Sequence, residues 1–300
     1  MTAPIVLTAR DIDLMESLAT YRYLSTPQVQ RLHFPSAQTA LRRLRRLSEA
    51  GLLSTFRSPA CTDRIATITP LGSEVLSERL GRPIVLDGKG PRRTLPKDYL
   101  FLLHFLAVSD FRITLTRACA ARNDLSLLGF IPEHRTERSS TGTIRKYIGD
   151  RVADGSGSHR VITHAPDGVF ALAHAGRAAL FFLEIDRGTE VISNPEKGFL
   201  RMVRFYLTYL RDGGYQRYRE DFGVEAPFRG FRTLVVSTTA ARLQNIRKSC
   251  GRVAFDQPRA KRFVWLSDAQ ASTDPDVLSR RWTPLEPDDD CKYSIIQPCA

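Results

Sequence analysis

Three carboxylates in two neighbouring stretches carry the chemistry legible in this chain. Asp167 lies in Pro166-Asp167-Gly168-Val169-Phe170, and Glu184 and Asp186 close the run Ala179-Leu180-Phe181-Phe182-Leu183-Glu184-Ile185-Asp186. Both stretches have the pattern of short strands. The first is entered through a Pro-Asp-Gly corner, and the second is a near-continuous apolar run bounded by Arg187-Gly188. Between them, His174-Ala175-Gly176-Arg177 supplies the glycine that a hairpin connection favours. Side chains alternate along a strand, so Glu184 and Asp186 share a face about 7 Å apart while Leu183 and Ile185 take the other. Hairpin pairing would bring Asp167 towards Glu184. Clustered carboxylates repel one another unless a cation sits between them, and such oxygen ligands suit Mg²⁺ or Mn²⁺. A cation held there activates a water and stabilises charge on a phosphate under attack. The expected centre is therefore a metal-dependent phosphodiesterase with Asp167, Glu184 and Asp186 as metal ligands. The competing expectation is a surface hairpin with an acidic solvent end.

The charge balance points to the substrate. Lys and Arg number 44 against 32 Asp and Glu, a net +12, and arginine supplies most of it. Such a surplus favours a polyanionic partner, with nucleic acid before an acidic membrane surface. Five cysteines (Cys61, Cys119, Cys250, Cys291 and Cys299) show no CxxC spacing, as expected for reduced thiols. Residues 1–10 lack the order of a signal peptide, and no apolar run reaches membrane-spanning length. A soluble cytoplasmic protein without membrane insertion is expected. No GxGxxG or Walker loop is present, so no nucleotide cofactor is expected.

The elements that must position these residues fall into two groups. Thr8 and Asp11 suggest a capping box for a first helix, and Thr26-Pro27 reads as the cap and first residue of a second. Ser36 caps a third helix, with Ala37, Leu41, Leu44 and Leu47 expected inward and Gly51 as its stop. Strand-like runs at 52–56 and 64–68 and a fourth helix follow. This is the order of a winged helix-turn-helix, in which the third helix enters the major groove of double-stranded DNA. That helix carries Arg42, Arg43, Arg45 and Arg46, and residues 1–97 hold 15 Lys and Arg against 8 Asp and Glu. Gln38 and Arg42 are the expected base readers. Arg45 shares their face, and Arg43, Arg46 and Arg57 are expected on phosphate. The alternative is an amphipathic helix whose arginines only solvate it.

The expected domains are a winged helix over 1–80, a linker over 81–97, an α/β domain over 98–267 and a mostly irregular tail over 268–300. The α/β domain opens with a long helix and a strand at 125–132. A long loop or flexible hairpin over 135–165 comes before the acidic strands, and a helix over 195–210 bearing Lys197 comes after them. The four tyrosines Tyr206, Tyr209, Tyr215 and Tyr218 are expected to pack, with a nucleophile as the lesser alternative. No two histidines lie two residues apart, which disfavours a His-x-His metal site.

The helix–strand–strand–strand–helix–strand order resembles the PD-(D/E)xK core of many restriction endonucleases. Its motif maps onto Pro166-Asp167 and Glu184-Ile185-Asp186, with Asp186 where that superfamily carries lysine. The resemblance implies that an ammonium comes from elsewhere, with Lys197 the candidate. Over residues 7–282 the chain resembles the replication-relaxation family of plasmids and integrative elements, which includes MobC-type conjugative relaxases. The Glu184-Ile185-Asp186-Arg187 segment is the most specific part of that likeness. The resemblance implies an α+β fold, a winged helix before a restriction-endonuclease-like sheet domain. It also implies metal-dependent nicking at an origin of transfer or replication, alongside other relaxosome proteins. The rivals are a non-enzymatic origin-binding accessory protein with a degenerate nuclease core and a simple transcription regulator.

Overall fold

Thr8 and Asp11 start the first helix as their spacing predicts. The computed structural model describes residues 5–59, 61–84, 99–138, 142–153, 161–188, 191–192, 194, 197–251, 263–279, 282–286 and 291–296. The chain divides into two compact units, Met1–Ile113 and Thr114–Ala300, and the class is the expected α+β.

In the first unit, α1 (Ala9–Tyr21), β1 (Leu24–Ser25), α2 (Thr26–His33) and α3 (Ala37–Glu49) precede the ribbon β2 (Leu53–Ser58) and β3 (Cys61–Ile68), then α4 (Pro70–Leu80). The three strands form one antiparallel sheet in the order β1-β3-β2. The cap of α2 is Ser25 rather than Thr26. Its hydroxyl accepts from Gln28 N while Gln28 Oε1 accepts from Ser25 N at 2.9 Å, and Pro27 then sits one position deeper. The buried side of α3 is Ala40, Leu44 and Leu47, whereas Ala37 and Leu41 are exposed. The stripe is turned from the expected one, and Leu41 is left on the face with Gln38, Arg42 and Arg45.

The helix α5 (Tyr99–Ala120) spans the boundary between the units. The second unit is built on a six-stranded sheet, β13-β12-β11-β10-β9-β4. Here β4 is Leu125–Pro132, β9 Gly168–His174, β10 Arg177–Asp186, β11 Phe231–Ser237, β12 Val264–Asp268 and β13 Thr283–Pro284. The predicted hairpin forms, with β9 antiparallel to β10 from His174↔Arg177 to Gly168↔Leu183. After β10 the chain crosses through α6 (Phe199–Asp212) and the short α7 (Tyr218–Asp221) and returns as β11, parallel to β10. A later crossover through α8 (Ala240–Gly251) adds β12 in parallel.

The sheet is covered through its alternating side chains. Phe182 meets Tyr206 of α6 at 5.3 Å and Phe231 at 4.7 Å. On its other face Phe181 stacks on Phe170 and Phe170 on Phe130, so three neighbouring strands share an aromatic ladder. Such cross-strand pairs each contribute roughly 0.2–1 kcal/mol and fix the register that carries Glu184 to its place. The stretch expected as a long loop over 135–165 holds two small hairpins among its described residues. They are β5 (Thr136–Arg138) with β6 (Ile144–Lys146), and β7 (Asp150–Ala153) with β8 (Val161–His164). Polar, glycine-dotted strands this short leave little periodicity to detect.

The helix α6 begins at Phe199, so Lys197 precedes it and is exposed. Gly198 sets that start. Its φ is 70°, and a Cβ there would lie 2.0 Å from the Val191 carbonyl oxygen, which accepts from Phe199 N. Gly198→Ala should therefore destabilise the protein by more than about 1 kcal/mol, read as a lower midpoint in urea. An unchanged midpoint would mean that this approach is not needed to seat α6. The four described cysteines, Cys61, Cys119, Cys250 and Cys291, are free thiols. No helix among the described residues is long and apolar enough to cross a membrane.

Candidate functional site

The strand ends bring Asp167 and Glu184 together and hold Asp186 apart from them. Asp167 stands just before β9, where its backbone N–H donates to Leu183 O at 3.0 Å. Its carboxylate accepts from Ile185 N at 2.6 Å, which fixes it beside Glu184 across the hairpin. Glu184 is nearly buried and is held from two other elements. His164, at the end of β8, bonds Glu184 Oε1 through Nε2 at 2.7 Å, and the Tyr206 hydroxyl of α6 donates to the same oxygen. Burial pushes the Glu184 carboxyl up, His164 and Tyr206 oppose that, and the adjacent Asp167 carboxylate adds to the rise.

Asp186 has different partners. The register sets it beside Ser237 of β11, whose hydroxyl donates to Asp186 Oδ2 at 2.8 Å. Arg242, on the first turn of α8, reaches Oδ2 through Nε at 3.0 Å and Oδ1 through Nη2 at 3.3 Å. Gly188 N donates to Oδ1 as well. With side-chain exposures of 6% for Asp186 and 18% for Arg242, this is a buried, bidentate ion pair. Among the described residues, no set of three His, Cys, Asp or Glu ligand atoms within 4.8 Å of one another includes Glu184 or Asp186. The expected three-carboxylate cluster is thus reduced to a pair, Asp167 and Glu184.

The polar tips of Tyr206, Tyr209 and Tyr218 are engaged as well as packed. Tyr209 and Tyr218 both donate to Asp150 Oδ2, at 2.7 and 3.0 Å, and Arg217 pairs with the same carboxylate. Burial raises the phenols of Tyr206, Tyr209 and Tyr218, and the carboxylate each one faces raises them further. A phenol held protonated is a poor nucleophile.

On α3, Gln38, Arg42, Arg45 and Arg46 are exposed, as is Arg57 near the end of β2. Arg45 pairs with Glu49 one turn on. Arg43 is drawn inward. Its Nε donates to Asp11 Oδ1 at 2.6 Å and its Nη2 to Asp11 Oδ2, and Asp11 is only 1% exposed. A hollow of about 730 Å³ between the starts of α1 and α3 is lined by Arg10, Arg42, Arg43, Arg46 and Phe34.

The replication-relaxation family model matches residues 15–224, well over half of the chain. This chain belongs to the replication-relaxation family. The matched span holds the arginine-bearing helix α3, Asp167, Glu184 and α6, and it ends before the strand that supplies Ser237. Arg242 also lies beyond it. Membership suggests a role in the replication or relaxation of mobile-element DNA. No curated protein and no solved structure matches the chain.

Three residues of the site, His164, Ser237 and Arg242, escaped sequence reasoning, and Tyr206 was expected to pack or attack and not to hold Glu184. Tyr206 was hidden in the apolar stripe of α6, because periodicity registers the ring and not the hydroxyl. His164, two residues before Pro166, was the one visible signal, a titratable group flanking the acidic corner. Ser237 and Arg242 reach Asp186 through a parallel pairing more than fifty positions away, and nothing local announces it.

Proposed function

We propose that this replication-relaxation protein binds double-stranded DNA at an origin of transfer or replication of a mobile element and nicks it by metal-dependent phosphodiester hydrolysis. Three helices followed by an antiparallel ribbon support a winged helix in the first unit. In that reading Gln38 and Arg42 face base edges, and Arg45, Arg46 and Arg57 face backbone phosphate. Arg43, engaged by Asp11, instead holds α3 against α1. In the second unit the sheet strands β4, β9 and β10, the crossover helix α6 and the strand β11 support a PD-(D/E)xK-like core. Its three antiparallel strands and parallel crossover fit the order that the nuclease resemblance implies.

The observation that carries the reading is the pair Asp167 and Glu184, two carboxylates held side by side at the ends of paired strands. Mg²⁺ is usually held by one or two carboxylates with water and phosphate completing its shell, and this pair fits that demand. Bound there, Mg²⁺ or Mn²⁺ would supply a Lewis acid that activates water and takes up charge on the phosphate. The protein's own part is orientation. Ile185 N–H fixes Asp167, and His164 and Tyr206 fix Glu184. Asp186 contributes no ligand in this scheme, because Arg242 and Ser237 hold it. Lys197, exposed just before α6, remains the candidate ammonium for a phosphate oxygen.

One observation favours the rival reading of a non-enzymatic origin-binding accessory protein. Where the PD-(D/E)xK superfamily carries lysine, the resemblance puts Asp186, a carboxylate already neutralised by Arg242. Supercoiled plasmid carrying the cognate origin, incubated with protein and Mg²⁺ or Mn²⁺, should give open circles. Intact binding without open circles would establish the accessory protein instead. In the same assays, Arg42→Ala with Arg46→Ala should weaken duplex binding. The double variant should also lower the slope of log affinity against log salt by about one, since Arg46 is the phosphate contact of the two. An unchanged slope would remove α3 from the phosphate contacts.

A further inference from the structure

The opposite end of the sheet from Asp167 and Glu184 contains a cavity that the proposed function does not use. It has a volume of about 590 Å³, within the range of small-ligand sites. It lies where β9 turns into β10, at a tight turn with positive φ at both Ala175 (49°) and Gly176 (73°). Arg177, in its wall, is seven residues along β10 from Glu184, or about 23 Å in an extended strand. The cavity is therefore separate from the carboxylate pair.

Its chemistry is two-sided. Leu172, Phe181, Phe231 and Trp265 give it an apolar and aromatic floor, and all four are buried. Arg177, Arg229 and Arg232 give it three guanidinium groups, and no Asp or Glu lines it. Among the described residues none of the three arginines has an acidic partner. His174, also in the wall, is paired with Asp124. Arg232 is the telling one. It lies opposite Phe181 in the β10–β11 pairing, and its guanidinium sits 5.2 Å from the Trp265 ring centroid. Its Nη1 donates only to the neighbouring Phe231 carbonyl, and its Nε is buried with no hydrogen-bond partner among the described residues. A buried donor left unmade opposes folding, so an arginine kept in this state fits a site completed by an acceptor from outside.

One guanidinium satisfies a carboxylate. Three around one apolar cavity suit a phosphate ester, which carries more charge and three acceptor oxygens. The floor suits a flat, weakly polar body. We propose that this cavity binds a nucleotide, with its phosphate on Arg177, Arg229 and Arg232 and its base on the apolar floor. A free mononucleotide offers this in full, and one unit of a single DNA strand offers the same base beside a phosphodiester with one charge and two free oxygens.

Titration calorimetry on the full chain with dAMP, inorganic phosphate and a ten-residue oligothymidylate tests this. A nucleotide form should bind at least ten-fold more tightly than inorganic phosphate, which cannot use the floor. Arg232→Met should weaken that binding at least ten-fold while the melting temperature holds or rises, because a half-buried guanidinium whose Nε bond is unmade is removed. Should Arg232→Met fail to fold, Arg177→Gln at the exposed rim should show the same loss. Tighter binding of dAMP identifies a free nucleotide as the ligand, and tighter binding of the oligomer identifies a strand. Absence of binding by both, or affinity unchanged in both variants, overturns the proposal. Gel shifts with origin duplex run beside these titrations keep the outcomes separate, since both variants should bind duplex as the wild type does.

Discussion

Asp167→Asn and Glu184→Gln should each bring origin nicking to background while duplex affinity in gel shifts stays at the wild-type level. The substitutions remove ligand charge and nearly preserve shape, so β9 and β10 should keep their register and α3 should be untouched. Glu184→Gln also removes a carboxylate whose ionisation burial and Asp167 both oppose. Without metal that variant should be at least as stable as wild type in urea, because a neutral amide costs less to bury than a charge. Asp186→Asn should behave differently. It leaves Arg242 without its buried counter-charge, and it should lower stability more than either of the others. Wild-type-like nicking by Asp167→Asn and Glu184→Gln together would sink the metallonuclease reading. Equal stability of Asp186→Asn and wild type would return Asp186 to the role of a solvent-facing acid.

Arg43→Met should destabilise the first unit by roughly 3 kcal/mol, the lower end of the cost of leaving a buried carboxylate without its partner. Thr8 still donates to Asp11 through both its backbone N–H and its hydroxyl, which limits the loss. The melting temperature should fall on the order of 10 °C. The pH dependence separates this from a simple packing defect. Burial pushes the Asp11 carboxyl up, but the bonds from Arg43 and Thr8 outweigh it, and its value in the folded protein is lowered. A carboxyl lowered on folding stabilises the protein above its unfolded value of about 3.9, and that contribution fades as pH falls through the folded value. The gap between wild type and Arg43→Met should therefore be full at neutral pH and shrink below about pH 4. A gap that persists undiminished in acid would assign the loss to packing of the Arg43 stem. Arg42→Ala, one position away, should leave stability within about 0.5 kcal/mol, because its side chain is exposed.

What could be read locally was the pair of acidic strands. The Pro-Asp-Gly corner, the apolar run to Ile185 and the glycine between them specify a hairpin through nearest-neighbour chemistry alone. That hairpin is enough to bring Asp167 beside Glu184. The caps of α1 and α3 and the arginine content of α3 were legible for the same reason, since each depends on residues within one or two turns. The rotation of α3 was not, because Ala37 and Leu41 are as apolar as Ala40, and only packing against α1 and the ribbon chose between them. Arg43 looked like its neighbours until Asp11, thirty-two positions earlier, claimed it. The role of Asp186 was beyond reach on the same grounds. Strand alternation gives it the face of Glu184, but the parallel pairing of β10 with β11 adds Ser237 and Arg242, and a buried guanidinium decides where a carboxylate goes. Sequence alone determined which carboxylates lie near one another along the chain. The tertiary structure decided which of them stand side by side and which is taken into an ion pair, because strand register and distant partners set that balance.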